Sequence, residues 1–477
     1  MSTASAVRRV RPGQGQHASE SDLVMPRGFS PYVRELVRLL KLHIPPDASV
    51  LEAGGAHGGD ILAALEPRRG VVVSPSPALI AGVRLRHPHL SFVEAELETF
   101  DTKGETFDFV IAWTALGEAQ DLQAVLERVR AASRPDTRIL LAHPNSVWEP
   151  LLRFTAPVRI GPCARELNWL SLQDIRNLCG LTEIDIIRES TEVLLPFAIP
   201  GLRWLANNLL ARLWPFTHLG MIQLIIGRPA APPAGLERPR VSVVIPARNE
   251  RGNIAEAVGR TPEMGAATEI VFVEGNSTDG TAEEIERQIR LHPERAIKLV
   301  RQGGGVGKGD AVRKGFAAST GDVFVILDAD LTVPPETLPR FVAALTSGKG
   351  ELVDGTRLVY PMENQAMRFL NKLGNRFFSL AFTWLLDQPI RDTLCGTKVL
   401  SRAHYDLIAR NRPYFGDFDP FGDFDLILGA AKANLKIVEI PIRYAARTYG
   451  TTNISRFKHG WLLLKMTWFA LLRLKLR

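Results

Sequence analysis

The feature that most constrains this chain is a proline-rich break near its middle. Residues 228–240 read RPAAPPAGLERPR, with Pro229, Pro232, Pro233 and Pro239. Proline locks φ and has no N–H to give a ladder, so this stretch is expected to be extended and to stay out of a sheet interior. It divides 477 residues, too many for one ordinary domain, into halves of similar size. Both halves alternate short apolar, β-branched runs with amphipathic stretches, which predicts two α/β units built on mainly parallel sheets. No repeat links the halves. With 45% hydrophobic and 23% charged residues, the chain has the profile of a folded protein. Cys163, Cys179 and Cys395 make neither a disulfide framework nor a paired metal motif, as expected in a reducing compartment.

The formal charge is +7, from 58 Lys+Arg against 51 Asp+Glu. Residues 443–477 hold eight of those basic residues and no acid. Without them the balance would be 50 against 51, so the basicity belongs to the tail and a nucleic-acid partner is not expected. Residues 1–24 are polar, lack the apolar run of a signal peptide and are expected to be disordered in a cytoplasmic protein. No apolar run reaches the roughly 18–20 residues of a membrane span.

In the N-terminal half, residues 49–65 read SVLEAGGAHGGDILAAL. A buried strand runs into a glycine-rich turn, and a helix is expected from about Asp60. Gly54, Gly55, Gly58 and Gly59 let the backbone turn tightly and approach a ligand. Glu52 stands at the strand end, where an acid can meet a ribose hydroxyl or a ligand amine. The E-x-G-x-A-x-G spacing resembles the first motif of class I S-adenosylmethionine methyltransferases, and the likeness extends over residues 25–227. It implies a Rossmann-like fold binding S-adenosylmethionine through Glu52, Gly54, Gly58 and Glu96. Two positions depart from the family: Ser74 replaces the acid that grips the ribose, and Ala56 the middle glycine. A half that keeps the fold without the cofactor is the alternative. Neither His57 nor His143 has an identifiable partner.

In the C-terminal half, three apolar runs each end in a polar cluster. VSVVIPARNE leads to Asn249 and Glu250, EIVFVEGNSTDGT to Glu274, and GDVFVILDADLTVPPE to Asp328 and Asp330. Open parallel sheets bind ligands beyond the carboxyl ends of their strands. Two Asp at i and i+2 suit a hard divalent cation, which offsets charge growing on a diphosphate leaving group.

These segments, with GVGKGDAVRKGF, GTR, RDTLCGTKVLSR and EIPIRYAARTYGTTNIS, resemble an inverting family 2 glycosyltransferase with a GT-A fold. Within it they most resemble dolichyl- or polyprenyl-phosphate hexosyltransferases. The resemblance implies a nucleotide-sugar site at Pro246, Ala247, Asn249, Glu250, Glu274, Gly307, Lys308 and Asp328. It implies Mg²⁺ or Mn²⁺ at Asp328 and Asp330, acceptor-phosphate arginines at Arg357 and Arg368, and an acceptor loop with Asp392, Gly396 and Lys398. Glu274 stands for the first of two family acids and the second is missing. GGGVGK (303–308) is no P-loop, since Gln302 and Gly309 break the pattern. Cys395 has no neighbouring His and is not expected to be a nucleophile.

A phosphate monoester is ionised at neutral pH and needs cations rather than a base, and arginine's planar fork suits it. An acceptor hydroxyl would need a carboxylate, for which Asp423 or Asp425 in FGDFD is the candidate, although acids are also favoured at a helix N-terminus. In the tail, Lys458, Lys465 and Arg473 share one helical face and Trp461, Leu464, Trp468, Leu471 and Leu472 lie off it. Such a helix suits a membrane interface or packs on the core.

The expected chain is therefore a disordered start (1–24), a methyltransferase-like domain (25–227), a linker (228–240), a GT-A domain (241–448) and a basic amphipathic helix (449–477). The expected activity is hexose transfer from a nucleotide-sugar to a polyprenyl phosphate on the inner face of the cytoplasmic membrane. The alternative is transfer to a saccharide hydroxyl, with the N-terminal half a binding or scaffolding module.

Overall fold

A computed structural model of the chain describes residues 31–54, 59–113, 115–150, 168–195, 199, 201–213, 216–305, 307–357, 369–412, 423–443, 445, 449 and 456–475. Residues 1–24, Gly58 and Arg368 lie outside them.

Two seven-stranded sheets form, one in each half. The first contains β1 (Ser49–Ala53), β2 (Arg69–Ser74), β3 (Ser91–Glu94), β4 (Phe107–Trp113), β5 (Ser133–Pro144), β6 (Ile184–Glu192) and β7 (Ile222–Pro229). Its order is β3-β2-β1-β4-β5-β7-β6, with β7 antiparallel to both neighbours. The second contains β8 (Arg240–Ala247), β9 (Ala267–Glu274), β10 (Ala296–Arg301), β11 (Val323–Ile326), β12 (Leu352–Thr356), β13 (Lys398–Ser401) and β14 (Ile437–Pro441). Its order is β10-β9-β8-β11-β13-β12-β14, with β13 antiparallel to β11 and β12.

Central strands such as β1, β8 and β11 are apolar runs because helices cover both faces of the sheet. In each sheet the chain winds outward in both directions from its first strand. The strand order therefore reverses between β1 and β4, and between β8 and β11, and these are the crevices where doubly wound sheets hold ligands. The linker is shorter than expected: β7 runs through Pro229, β8 begins at Arg240, and Leu236 joins the C-terminal core.

Each of the four apolar core clusters is drawn from one side of this break. Among the described residues the halves are joined mainly by charged and polar contacts. Glu351, just before β12, accepts from Arg138 of β5 at 2.8 Å and lies 3.7 Å from Arg228 of β7 and 3.5 Å from His404. Its side chain is 4% exposed. Burial alone would raise the Glu351 carboxyl, but Arg138, His404 and Arg228 outweigh it and hold it far below the usual range. Asp185 bonds Arg228 and Lys436, and Asp387 bonds Arg188 and Lys475. Asp185, Glu351 and Lys436 sit at or just before the amino ends of their strands, and Arg138 pairs with Phe109 near the amino end of β4, so the two sheets meet at that end, opposite the carboxyl ends of their strands.

Breaking a buried pair leaves uncompensated charge. Glu351→Ala is expected to cost about 3–5 kcal/mol, read from the denaturant midpoint; an unchanged midpoint would show that the seam does not depend on it.

Candidate active site

The three polar clusters of the C-terminal half converge at the carboxyl ends of β8, β9 and β11. Gly275 N–H bonds the Ala247 carbonyl at 2.9 Å, which splices the first two loops. Asn249 adopts φ 57° and accepts from Thr278 N–H at 2.9 Å, while its own N–H donates to Ser277 Oγ. Glu274 is buried and accepts from Ser277 N–H at 2.5 Å. Glu250 is buried and accepts from Asn253 Nδ2 at 2.7 Å. The side chains of Asn249, Glu250 and Glu274 thus shape the loops that frame the crevice. Pro246 is half-buried and Ala247 buried at its floor.

Asp328 and Asp330 sit on a turn closed by Leu331 N–H to the Asp328 carbonyl, with Leu331 at φ 51°. A branched apolar residue held at positive φ is a strained position, and strain of this kind gathers at functional turns. Thr332 fixes Asp330, donating from its hydroxyl at 2.8 Å. Asp328 is the meeting point of the site. Its Oδ1 lies 2.6 Å from Lys308 Nζ, on the helix Gly307–Ala318, and a Cβ at Gly396 would overlap both groups. Only glycine at 396 lets the third loop lie this close. Burial would raise the Asp328 carboxyl, but Lys308, Lys398 and Arg357 hold it below the usual range.

Among the described residues no group of three or more His, Cys, Asp or Glu is arranged to hold a metal by itself. The fit is therefore to a cation shared with ligand oxygens: two hard carboxylates on one turn, with phosphate completing the shell, as Mg²⁺ is commonly held.

Arg357 follows β12. Its Nε and Nη2 donate to Asp392 at 2.7 and 2.8 Å, a bidentate fork. Asp392 belongs to the expected acceptor loop, yet its carboxylate is spent on aiming Arg357. Lys398, expected in the acceptor loop, is the first residue of β13. It is fully buried on β13, donating to Asp354 and the Cys395 carbonyl, so it supports the loop from beneath. Burial pushes the Cys395 thiol far up, which removes it as a nucleophile. Asp425 is nearly buried and bonded by Arg412 Nε at 2.8 Å, a poor position for a general base. Asp423 begins the helix Asp423–Lys432.

In the N-terminal half, Glu52 is the last residue but one of β1 and is 0% exposed. Neither of its oxygens makes a well-formed hydrogen bond. Burial pushes its carboxyl up to about 8, against the Leu62 N–H and with help from Asp60. Gly54 has φ 74°, and a Cβ there would sit 3.1 Å from both Ala115 and Leu97. An orphaned carboxyl beside a crowded glycine at the β1/β4 crevice fits a ligand that brings donors to it. Ser74 is buried and accepts from Ser76 N–H, and Glu96 is exposed on the turn after β3. The expected helix is short, Asp60–Ala64. Burial lowers His143 to about 4, as for a neutral structural residue.

Residues 242–408 match the model of glycosyl transferase family 2, and residues 27–185 match that of a methyltransferase domain. The C-terminal half carries a family 2 glycosyltransferase domain, and the N-terminal half a methyltransferase domain. Over 220 residues, 45% of this chain and 59% of the relative, the chain is 30% identical to the dolichol-phosphate mannosyltransferase of Pyrococcus furiosus. Over 223 residues, 46% of this chain and 64% of the relative, it is 27% identical to the undecaprenyl-phosphate 4-deoxy-4-formamido-L-arabinose transferase of Proteus mirabilis. The chain thus spans about three fifths of these relatives' length. Among solved structures it matches glucosyl-3-phosphoglycerate synthase from Mycobacterium tuberculosis with Mn²⁺, UDP and glucosyl-3-phosphoglycerate. That match is 21% identical and covers 50% of this chain and 80% of the other, with a TM-score of 0.37.

Two acids of the glycosyltransferase domain have roles that sequence reading did not assign. Glu439 on β14 accepts from the Arg391 and Asp392 N–H groups at 2.8 and 2.9 Å, so it holds the loop that aims Arg357. Asp354 on β12 pairs with Lys398. The available signal was an acid inside an apolar strand, which must find a partner when buried.

The methyltransferase domain yields a pH prediction. Glu52 has a folded value near 8 against 4.5 unfolded, so the folded state holds the proton more tightly. Its contribution to stability is complete below pH 4.5 and is lost as pH rises towards 8, by up to about 1.4 kcal/mol per unit. Glu52→Gln lacks that loss. Urea denaturation should find the variant gaining on the wild type between pH 5 and pH 8; parallel profiles would mean that Glu52 is not held neutral.

Proposed function

We propose that this chain is an inverting glycosyltransferase that moves a hexose from a nucleotide-sugar to a polyprenyl phosphate of the dolichyl type. The observation that carries the reading is the convergence of Lys308, Asp328 and Gly396, within reach of the charge of the Asp392-held Arg357. In the reaction, a phosphate oxygen of the lipid attacks the anomeric carbon. The bond from that carbon to the diphosphate breaks on the opposite face, and a nucleoside diphosphate leaves with the electron pair. Asp328 and Asp330 would hold Mg²⁺ or Mn²⁺, which offsets charge on the leaving diphosphate. Lys308 adds a positive charge on the same side. Arg357 holds the acceptor phosphate through the N–H groups that its pairing with Asp392 leaves over, and that pairing aims it.

No proton has to be removed from the acceptor, so no base is needed. The burial of Asp425 against Arg412 supports this over transfer to a hydroxyl. The methyltransferase domain is read as binding S-adenosylmethionine, with Glu52 taking donors from the ligand and Gly54 admitting it. Calorimetry with the full chain tests this: Glu52→Ala should weaken binding about tenfold or more, and no heat from the wild type would favour a scaffolding role.

The protein is read as peripheral on the cytoplasmic face of the membrane. Among the described residues no helix is long and apolar enough to cross one. The helix Arg456–Leu474 packs Met466 and Ala470 on the core and leaves Trp461, Leu464, Trp468 and Leu472 exposed beside Lys465. That is the make-up of an interfacial helix.

Purified chain with polyprenyl phosphate, Mg²⁺ or Mn²⁺ and a panel of UDP- and GDP-sugars should yield glycolipid by mass detection; none from any donor sinks the reading. Arg357→Lys loses the fork and should lower kcat/KM about 10- to 100-fold, the worth of one or two charged hydrogen bonds. Asp423→Asn should leave turnover near wild type, and its loss with donor binding intact would reinstate a general base.

Gly396→Ala drives a methyl group into Asp328 and Lys308. It should cost about 100-fold in turnover, the usual penalty for displacing reacting groups by an ångström. Thermal unfolding within a few degrees of wild type would separate this from misfolding.

A further inference from the structure

Exposed apolar side chains are not spread evenly over this protein. Of nineteen large ones among the described residues, thirteen fall in three segments. Seven lie from Ile199 to Phe216 in the N-terminal half, with Trp204 55% exposed. Phe377 and Leu380 are on the helix Phe369–Leu386, and four are on the last helix. Scattered exposed leucines need no explanation, but a contiguous group does.

The three segments adjoin. Trp384 Nε1 donates to the Arg212 carbonyl at 2.7 Å, joining the first to the second. The two helices pack through Phe378, Phe382, Met466 and Ala470. Lys475, at the end of the last helix, lies 5.8 Å from the Trp384 ring centre and pairs with Asp387.

Charge selects the occupant of this face. No Asp or Glu occurs between Glu192 and Glu237, between Glu363 and Asp387, or after Glu439. These runs of 44, 23 and 38 residues make up over a fifth of the chain and hold none of its 51 acids. Among the described residues their cations include Arg376, Lys465 and Arg473, and Arg203, which pairs with the nearly buried Glu35 at 3.1 Å. Segments rich in Trp and Leu that carry cations and no carboxylates of their own, with the neighbouring Glu35, Glu192 and Asp387 buried in ion pairs, complement anionic headgroups over an acyl layer. A second copy is disfavoured, because a two-fold contact would set the same basic surface against itself.

We propose that membrane docking is shared by both halves: residues 199–216 of the methyltransferase domain lie on the same anionic lipid surface as the C-terminal helix. This rests on the peripheral-membrane reading above and extends it to a domain that the glycosyl transfer does not require.

The test is sedimentation of the full chain with phosphatidylcholine vesicles, with and without phosphatidylglycerol. Three double variants are compared: Trp204→Ser with Leu205→Ser, Leu209→Ser with Leu213→Ser, and Trp461→Ser with Trp468→Ser. All six side chains are exposed, so melting by circular dichroism should match wild type. Wild type should bind the phosphatidylglycerol vesicles, and each double variant should lower the partition constant about tenfold. The proposal is overturned if both N-terminal variants bind like wild type while the helix variant is lost. It is also overturned if wild type ignores vesicles and self-associates, with Trp204→Ser restoring the monomer. Glycolipid is not read, so failure of the glycosyl-transfer reading leaves this result standing.

Discussion

The structure turns on one buried carboxylate. Glu351 lies at the amino end of β12 and meets Arg138 from β5 and Arg228 from β7. Among the described residues every buried apolar cluster stays within its own half, so the contacts between the sheets are mainly polar. A seam of this kind is specific rather than strong: ion pairs out of water gain little over a hydrophobic contact, but they tolerate only one register. The seam occupies the amino ends of the strands in both sheets. The carboxyl ends of both sets of strands therefore point away from it.

The same use of charge recurs inside the glycosyltransferase domain. Glu439 holds the main chain of the acceptor-side loop, Asp392 in that loop aims Arg357, and Lys398 props it from below through Asp354. Buried polar groups that are fully paired rigidify what surrounds them. The groups left half-buried, Asp328 and Lys308, are those facing the crevice. In the methyltransferase domain the pattern inverts. Glu52 is buried without well-formed bonds, and burial pushes its carboxyl up to about 8.

Much of this was legible in the chain. Strand-ending acids such as Asp328, and the glycine run at 54–59, point to their crevices because backbone chemistry and sheet topology are local. The proline-rich break was legible as a boundary but not as a seam, since Arg228 and Leu236 inside it take partners far away in sequence. Asn249, Glu250 and Glu274 fall beside the expected nucleotide site. Their side chains, however, bond neighbouring loops, a division that motif spacing does not encode.

The sequence alone determined two α/β units, their order, the acid pair that follows the GDVFVI run of the second unit, and the absence of acids from the tail. Those follow from periodicity, proline chemistry and charge counting, which need no partner. Tertiary structure decided which charged groups are tools and which are struts. Lys398 and Arg357 are both cations near one loop, but one is sealed at 0% exposure and the other is held at its edge. It also decided that acid-free segments far apart in the chain share one face. Burial and adjacency belong to the packed chain, and a one-dimensional pattern carries neither.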